Sequence, residues 1–218
     1  MIDLHTHTVF SDGELIPSEL IRRAEVAGYR AIALADHADM STFDWVVPRV
    51  VRACELNNAH RRVRAVPAIE LTHLPPELIA RYVAEARALG ARVVVVHGES
   101  PVEPVEPGTN RAAIEAGADI LSHPGLITEE EARLAAGRGV FLEVSARKGH
   151  SLTNGHVVAT ARRAGAALVL NTDAHGPGDL ISEGFARTVA RGAGMTEDEY
   201  AALRRAMARL AGLEEETR

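Results

Sequence analysis

Seven short aliphatic or β-branched runs, at residues 2–4, 31–35, 63–69, 92–96, 120–121, 140–144 and 167–170, alternate with amphipathic stretches along the whole chain. Runs this apolar read as strands buried on both faces, as in a parallel sheet, because a strand with one wet face would alternate polar with apolar residues. The intervening segments carry helix signals. Pro17 opens one whose Leu20, Ile21 and Ala24 share a face before Gly28 ends it. Thr128 with Glu131, and Thr196 with Glu199, have capping-box spacing. Such alternation predicts an α/β fold with right-handed crossovers, either a closed barrel or an open doubly wound sheet. No linker divides the 218 residues, a length one α/β barrel commonly uses, so a single domain over 1–218 is expected.

Nearly every run ends in a histidine or an acid. His5 and His7 close the first as His-Thr-His, and side-chain alternation along extended backbone points both imidazoles to one side. Asp12 follows in a Ser-Asp-Gly turn, His37 follows the second run, Glu70 the third, His97 the fourth and His123 the fifth. Asp173 and His175, two residues apart, follow the seventh. One such residue alone reads as a hydrogen-bonded cap or turn. Six histidines and three acids at the same end of successive strands are costly to bury without a shared partner, and in a parallel barrel those ends converge on the face where active sites are built. A cluster of divalent ions is therefore expected. Cys54 is the only cysteine, which excludes an intramolecular disulfide and a thiolate-rich zinc site. Nitrogen and oxygen donors suit zinc, iron(II) or manganese, and nine candidates suffice for two or three ions.

After the sixth run comes Ser-Ala-Arg-Lys-Gly-His, holding Arg147, Lys148 (the only lysine in the chain) and His150, with a helix start at Thr153-Asn154. An arginine fork and a helix N-terminus both favour phosphate. Arg147 is the expected clamp, whereas Lys148 and His150 read equally well as solvated loop residues. The segment 98–108, with Pro101, Pro104 and Pro107, cannot be regular helix or central strand and is expected as an ordered loop beside the site. Asp36 can orient an imidazole or serve a turn, His73 and Glu99 are candidate outer partners, and His60 and His156 belong to helical segments.

In order along the chain, His5-Thr-His7-Thr, Ser11-Asp12-Gly13, Asp36-His37, Glu70, His97, His123-Pro124 and Asp173-Ala-His175 resemble the PHP (polymerase and histidinol phosphatase) family of phosphoesterases. The resemblance covers essentially the entire chain. It implies a distorted (β/α)7 TIM-like barrel with a two- or three-metal centre. By that likeness His5, His7, Glu70 and Asp173 serve one ion, Glu70, His97 and His123 a second, and Asp12, His37 and His175 a third, with Glu70 bridging. Some members carry histidine where Asp12 stands. The implied activity is hydrolysis of a small phosphomonoester, as in histidinol phosphatases, by a metal-activated hydroxide attacking phosphorus, with Glu70, Asp173 and His175 at the reacting centre. No Asp-x-Asp or Gly-x-Ser-x-Gly motif offers a covalent nucleophile.

Three rivals stand beside this reading. A nucleotide or oligonucleotide end is an alternative phosphoester. An amidohydrolase-type barrel also begins with His-x-His and ends with aspartate, but it often bridges its metals with a mid-barrel lysine, and Lys148 lies beyond both His97 and His123. A non-catalytic PHP-like module would be marked by lost ligands, and none is lost. The net charge of -6 and pI near 5.9 give no broad basic face for nucleic acid. Four phenylalanines, three tyrosines and one tryptophan are too few for a platform that stacks extended single strands. The expected partner is thus a small phosphorylated substrate. No run approaches the roughly 18 apolar residues of a membrane span, and no basic leader precedes an apolar core, so a cytoplasmic location is expected. Periodicity carries no signal for an oligomer; Leu203, Met207, Leu210 and Leu213 are expected to pack a terminal helix on the barrel.

Overall fold

The computed structural model describes residues 1–213. Strands and helices alternate as β1 (Ile2–Asp3), α1 (Pro17–Val26), β2 (Ala31–Leu34), β3 (His37–Ala38), α2 (Phe43–Asn58), β4 (Arg64–Leu71), α3 (Pro76–Ala88), β5 (Val93–His97), α4 (Thr109–Glu115), β6 (Ile120–Ser122), α5 (Glu129–Arg138), β7 (Phe141–Ser145), α6 (Asn154–Ala164), β8 (Leu168–Asn171), α7 (Glu183–Gly192) and α8 (Glu197–Leu210). All strand pairs are parallel, in the order β1-β2-β4-β5-β6-β7-β8, with the two-residue β3 continuing alongside β4. The ends of the sheet meet where the Asp173 amide donates to the His5 carbonyl at 3.0 Å and the His7 amide to the Ala174 carbonyl at 2.8 Å. The result is a nearly closed, distorted seven-stranded barrel, which the family resemblance implies and which is one of the two arrangements the strand pattern allows.

Alternation along each strand separates two cores. Ile32, Leu34, Ile69, Val94, Val96, Leu121 and Leu142 join the helices α1 to α5 in one apolar cluster. Their strand neighbours Ala31, Ala33, Val66, Ala68, Val93, Val95 and Ile120 belong to a second. Continuing that second set toward the C-terminal strand ends brings Glu70, His97 and Ser122, so the barrel interior changes from aliphatic to polar at one end. β4 and β5 extend past the apolar runs: Glu70 is in register with Val95, and His97 with Ser122. Both are ladder residues, so their backbones are fixed by strand pairing.

The helices form for the reasons their sequences advertise. α1 starts at Pro17 and buries Leu20, Ile21 and Ala24, and both capping boxes close, at Thr128 with Glu131 and at Thr196 with Glu199. Leu203 and Met207 of α8 are buried in the second core; the helix stops at Leu210, leaving Leu213 beyond it. Among the described residues, no helix is long and apolar enough to cross a membrane.

Candidate metal centre

The nine candidate ligands converge at the C-terminal mouth of the barrel, in overlapping groups: His5 with His7 and Glu70; His5 with His123 and Asp173; Glu70 with His97 and His123; and His7 with Asp12, His37 and His175. His5 Nε2 lies 3.3 Å from Glu70 Oε2 and 3.8 Å from Asp173 Oδ1. His7 Nε2 lies 3.7 Å and 3.1 Å from the same two oxygens. These spacings fit donors around one ion, where bonds of about 2.0–2.2 Å place neighbouring ligand atoms about 3 Å apart or slightly more.

The other oxygens of both carboxylates turn toward His123. Its Nε2 is 3.6 Å from Glu70 Oε1 and 3.8 Å from Asp173 Oδ2. Glu70 thus presents one oxygen to each of two groups, and Asp173 does the same. On the far side of His7, His175 Nε2 is 3.2 Å and His37 Nε2 3.7 Å from the carboxylate of Asp12.

Local structure explains how these side chains are held. Gly13 permits the turn that carries Asp12, since a Cβ there would lie 2.5 Å from the His7 carbonyl oxygen. Asp36 serves that turn, accepting from the Thr8 amide at 2.7 Å and the Ser11 hydroxyl at 3.0 Å, and so takes the turn role rather than an imidazole. His123 and Asp173 have φ of 26° and 54°, in the left-handed region that non-glycine residues rarely adopt. Their strands have ended, and this backbone turns each side chain back over the barrel.

His5, His7, Glu70, His97, His123 and Asp173 are all buried. Burial opposes a charge on His5, but Glu70, Glu143 and Asp173 outweigh it and hold the ring well above the ordinary imidazole range. Burial and then the neighbouring imidazoles hold His7 and His123 well below it. Burial likewise pushes Asp173 up to about 7. For Asp12, burial works upward, yet His175 and His37 hold the carboxyl down to about 2.

Among the described residues, five buried side-chain polar atoms have no hydrogen-bond partner: His5 Nε2, both ring nitrogens of His7, Glu70 Oε2 and His123 Nδ1. Glu70 Oε2 does lie 2.8 Å from His37 Nδ1, but the angles are not those of a hydrogen bond. Orphaned donors and acceptors at such depth are rare because each carries its full desolvation cost. A divalent cation takes up His5 Nε2, one ring nitrogen of His7 and Glu70 Oε2 together, so the residues present fit a metal cluster.

The basic turn after β7 divides. Arg147 donates from Nη1 to the Asp173 carbonyl at 2.9 Å and approaches His175 Nδ1 at 2.7 Å. With Lys148 and His175 it lines a cavity of about 530 Å³ that Phe185 and Ile181 also border. His150 instead enters the cluster, with Nδ1 2.6 Å from the Ser100 hydroxyl and Nε2 3.7 Å from Asp173 Oδ2. His73 stacks on His97 with centroids 5.3 Å apart, and Glu99 accepts from the Gly108 and Asn110 amides at the start of α4. His156 bonds the Ile127 carbonyl, away from the site. Two acids absent from the expectation also belong here. Glu103, from the proline-flanked loop, puts Oε2 2.7 Å from His97 Nε2. Glu143 lies beneath His5, with Oε1 2.9 Å from its Nδ1.

A PHP domain model matches residues 3–104. An uncharacterized protein of Methanocaldococcus jannaschii is 48% identical over 199 residues, which make up 90% of this chain and 91% of that one. Among solved structures, a chain in archaeal ribonuclease P with mature tRNA superposes with a TM-score of 0.74 at 14% identity, covering 97% of this chain and 90% of that one. Histidinol phosphate phosphatase from Lactococcus lactis, solved with zinc, L-histidinol and phosphate, superposes with a TM-score of 0.58 at 17% identity, over 89% and 94%. An amidohydrolase gives 0.62 at 15%, over 99% and 74%. At these identities the structural likenesses are ones of fold.

Proposed function

This chain belongs to the PHP family, and from that premise we propose that it is a metal-dependent hydrolase of small phosphomonoesters, with the nine converging side chains as its metal ligands. The observation that carries the reading is the set of orphaned buried atoms on His5, His7, Glu70 and His123, which lie among three more histidines and two more acids at one barrel mouth. His5, His7, Glu70 and Asp173 hold one ion, Glu70, His97 and His123 a second, and Asp12, His37 and His175 a third. Zinc, manganese or iron(II) suits these donors. Bound there, the ions supply the Lewis acidity that makes water nucleophilic at neutral pH and takes up charge on phosphoryl oxygens.

The chain's own residues do the rest. Glu70 and Asp173, each with one oxygen turned toward His5 and His7 and the other toward His123, fix the spacing between the first two positions. Arg147, one-third exposed, lies between Asp173 and the cavity and presents its remaining N–H groups to phosphate. The cavity beside His175 takes the alcohol, with Phe185 and Ile181 as its apolar wall and Lys148 at its edge. Histidinol phosphate, the ester of the L-histidinol and phosphate found with the Lactococcus lactis enzyme, is a substrate of suitable size and chemistry.

The amidohydrolase reading is disfavoured by position: Lys148 is exposed in the loop after β7, whereas Glu70 is fully buried among the ligands. Elemental analysis of the purified protein, combined with a screen for hydrolysis of phosphomonoesters, phosphodiesters and amides, tests the assignment. Two or three divalent ions per chain and phosphate release from monoesters are expected. Metal-free protein of unchanged stability, or amide cleavage alone, overturns it.

A further inference from the structure

Glu143 is the one acid within the β7 segment Phe-Leu-Glu-Val-Ser, and it is completely buried. A lone carboxylate in a barrel interior is expensive, and an apolar residue of similar size often packs there at lower cost. Each of its oxygens is nevertheless engaged. Oε1 accepts from Asn171 Nδ2 at 2.8 Å and lies 2.9 Å from His5 Nδ1; Oε2 accepts from the His123 amide at 3.1 Å. Asn171 is itself fixed, because its Oδ1 accepts from the Leu4 amide at 2.8 Å.

An ionised carboxylate only accepts, so the contact requires His5 to carry its ring proton on Nδ1. In the neutral ring that binds a metal, Nε2 is then the bare nitrogen, and that is the atom facing Glu70 and Asp173. At the same time Oε2 anchors the backbone of His123 at its left-handed turn. One side chain on β7 thereby ties a ligand from β1 to a ligand that follows β6.

We propose that Glu143 is a positioning residue: it selects the His5 tautomer that can bind metal through Nε2 and sets where His123 stands relative to His5. The inference rests on the metal-centre reading above. Carboxylates behind metal-bound imidazoles typically contribute about 10–100-fold to metal affinity. Glutamine is the informative replacement. It is isosteric, but it has a single acceptor oxygen for three donors on opposite sides, so at least one of His5, Asn171 and His123 loses its partner.

The test uses the full chain loaded with zinc. Nitrogen-15 NMR of the imidazoles, with His5 assigned by comparison with His5→Gln, should show a slowly exchanging Nδ1 proton on His5. Glu143→Gln should keep its secondary structure, bind zinc about 10–100-fold more weakly and lose the exchange protection at His5. An Nε2-protonated His5 in the wild type overturns the proposal, whether or not the variant folds. So does a folded Glu143→Gln with wild-type zinc affinity and an unchanged His5 signal. Wild-type protein that takes up no zinc, manganese or iron(II) overturns the metal-centre reading itself, and the Glu143 role with it.

Discussion

His5 Nε2 and Glu70 Oε2 face each other across 3.3 Å, both fully buried and both without a hydrogen bond. The pair makes chemical sense when a cation lies against both atoms. Glu70→Gln keeps the shape and removes the charge. It is expected to lower bound metal and abolish phosphate release, while circular dichroism shows an intact barrel. Turnover at the wild-type rate would mean that the bridge is elsewhere.

Metal uptake should release protons. Glu70 and neighbouring carboxylates hold His5 above the ordinary imidazole range, Glu70 and Asp12 do the same for His37, and Glu103 and Glu70 for His97, in each case against burial. Burial holds Asp173 at about 7. Without ions these groups retain protons near neutrality, whereas His7 and His123 are already neutral. A ligand must shed its proton to bind, so affinity rises with pH until these raised values are passed. Calorimetry in buffers of different ionisation enthalpy measures the release; zero protons at pH 7 would contradict the account.

The loop that carries Glu103 is rooted by close backbone contact. Gly125 has φ of +64°, and a Cβ there would lie 1.9 Å from the Glu99 carbonyl oxygen. Gly125→Ala is expected to cost at least about 2 kcal/mol, because strain and overlap act together. Denaturant unfolding checks this, and a change within error of zero would show that the loop root yields freely.

The capping boxes supply a control far from the chemistry. Thr128→Ala and Thr196→Ala each remove the side-chain acceptor for the Glu131 or Glu199 amide, and each should cost about 1 kcal/mol. On separate helices, the two costs should add in the double variant. Metal content should be unchanged.

Much of this was legible in the amino-acid order. The seven apolar runs mark the strands because parallel strands are buried on both faces, and His5, His7, His97, His123, Asp173 and His175 mark where those runs give way to chemistry. The strand ends were read closely: His97 is the last residue of β5, while Glu70 lies one residue inside β4, since backbone pairing does not depend on a side chain being apolar. Glu103 left no trace, because nothing in a proline-flanked segment says that its tip folds back onto His97. Glu143 did leave one, as a single acid inside an otherwise apolar strand. His150 looked like part of a basic surface turn, yet it stacks on His123 at 4.0 Å between centroids, a contact made by the chain's return through the short helical turn before α6.

The central claim is that bound metal turns solvent water onto phosphorus. Hydrolysis of an alkyl phosphomonoester in oxygen-18 water, by chelator-stripped protein and by the same protein reconstituted with zinc or manganese, tests it directly. The account predicts no phosphate from the stripped protein, and from the reconstituted protein phosphate that carries one solvent oxygen. Equal release from both, or release with the solvent label in the alcohol instead, would contradict it.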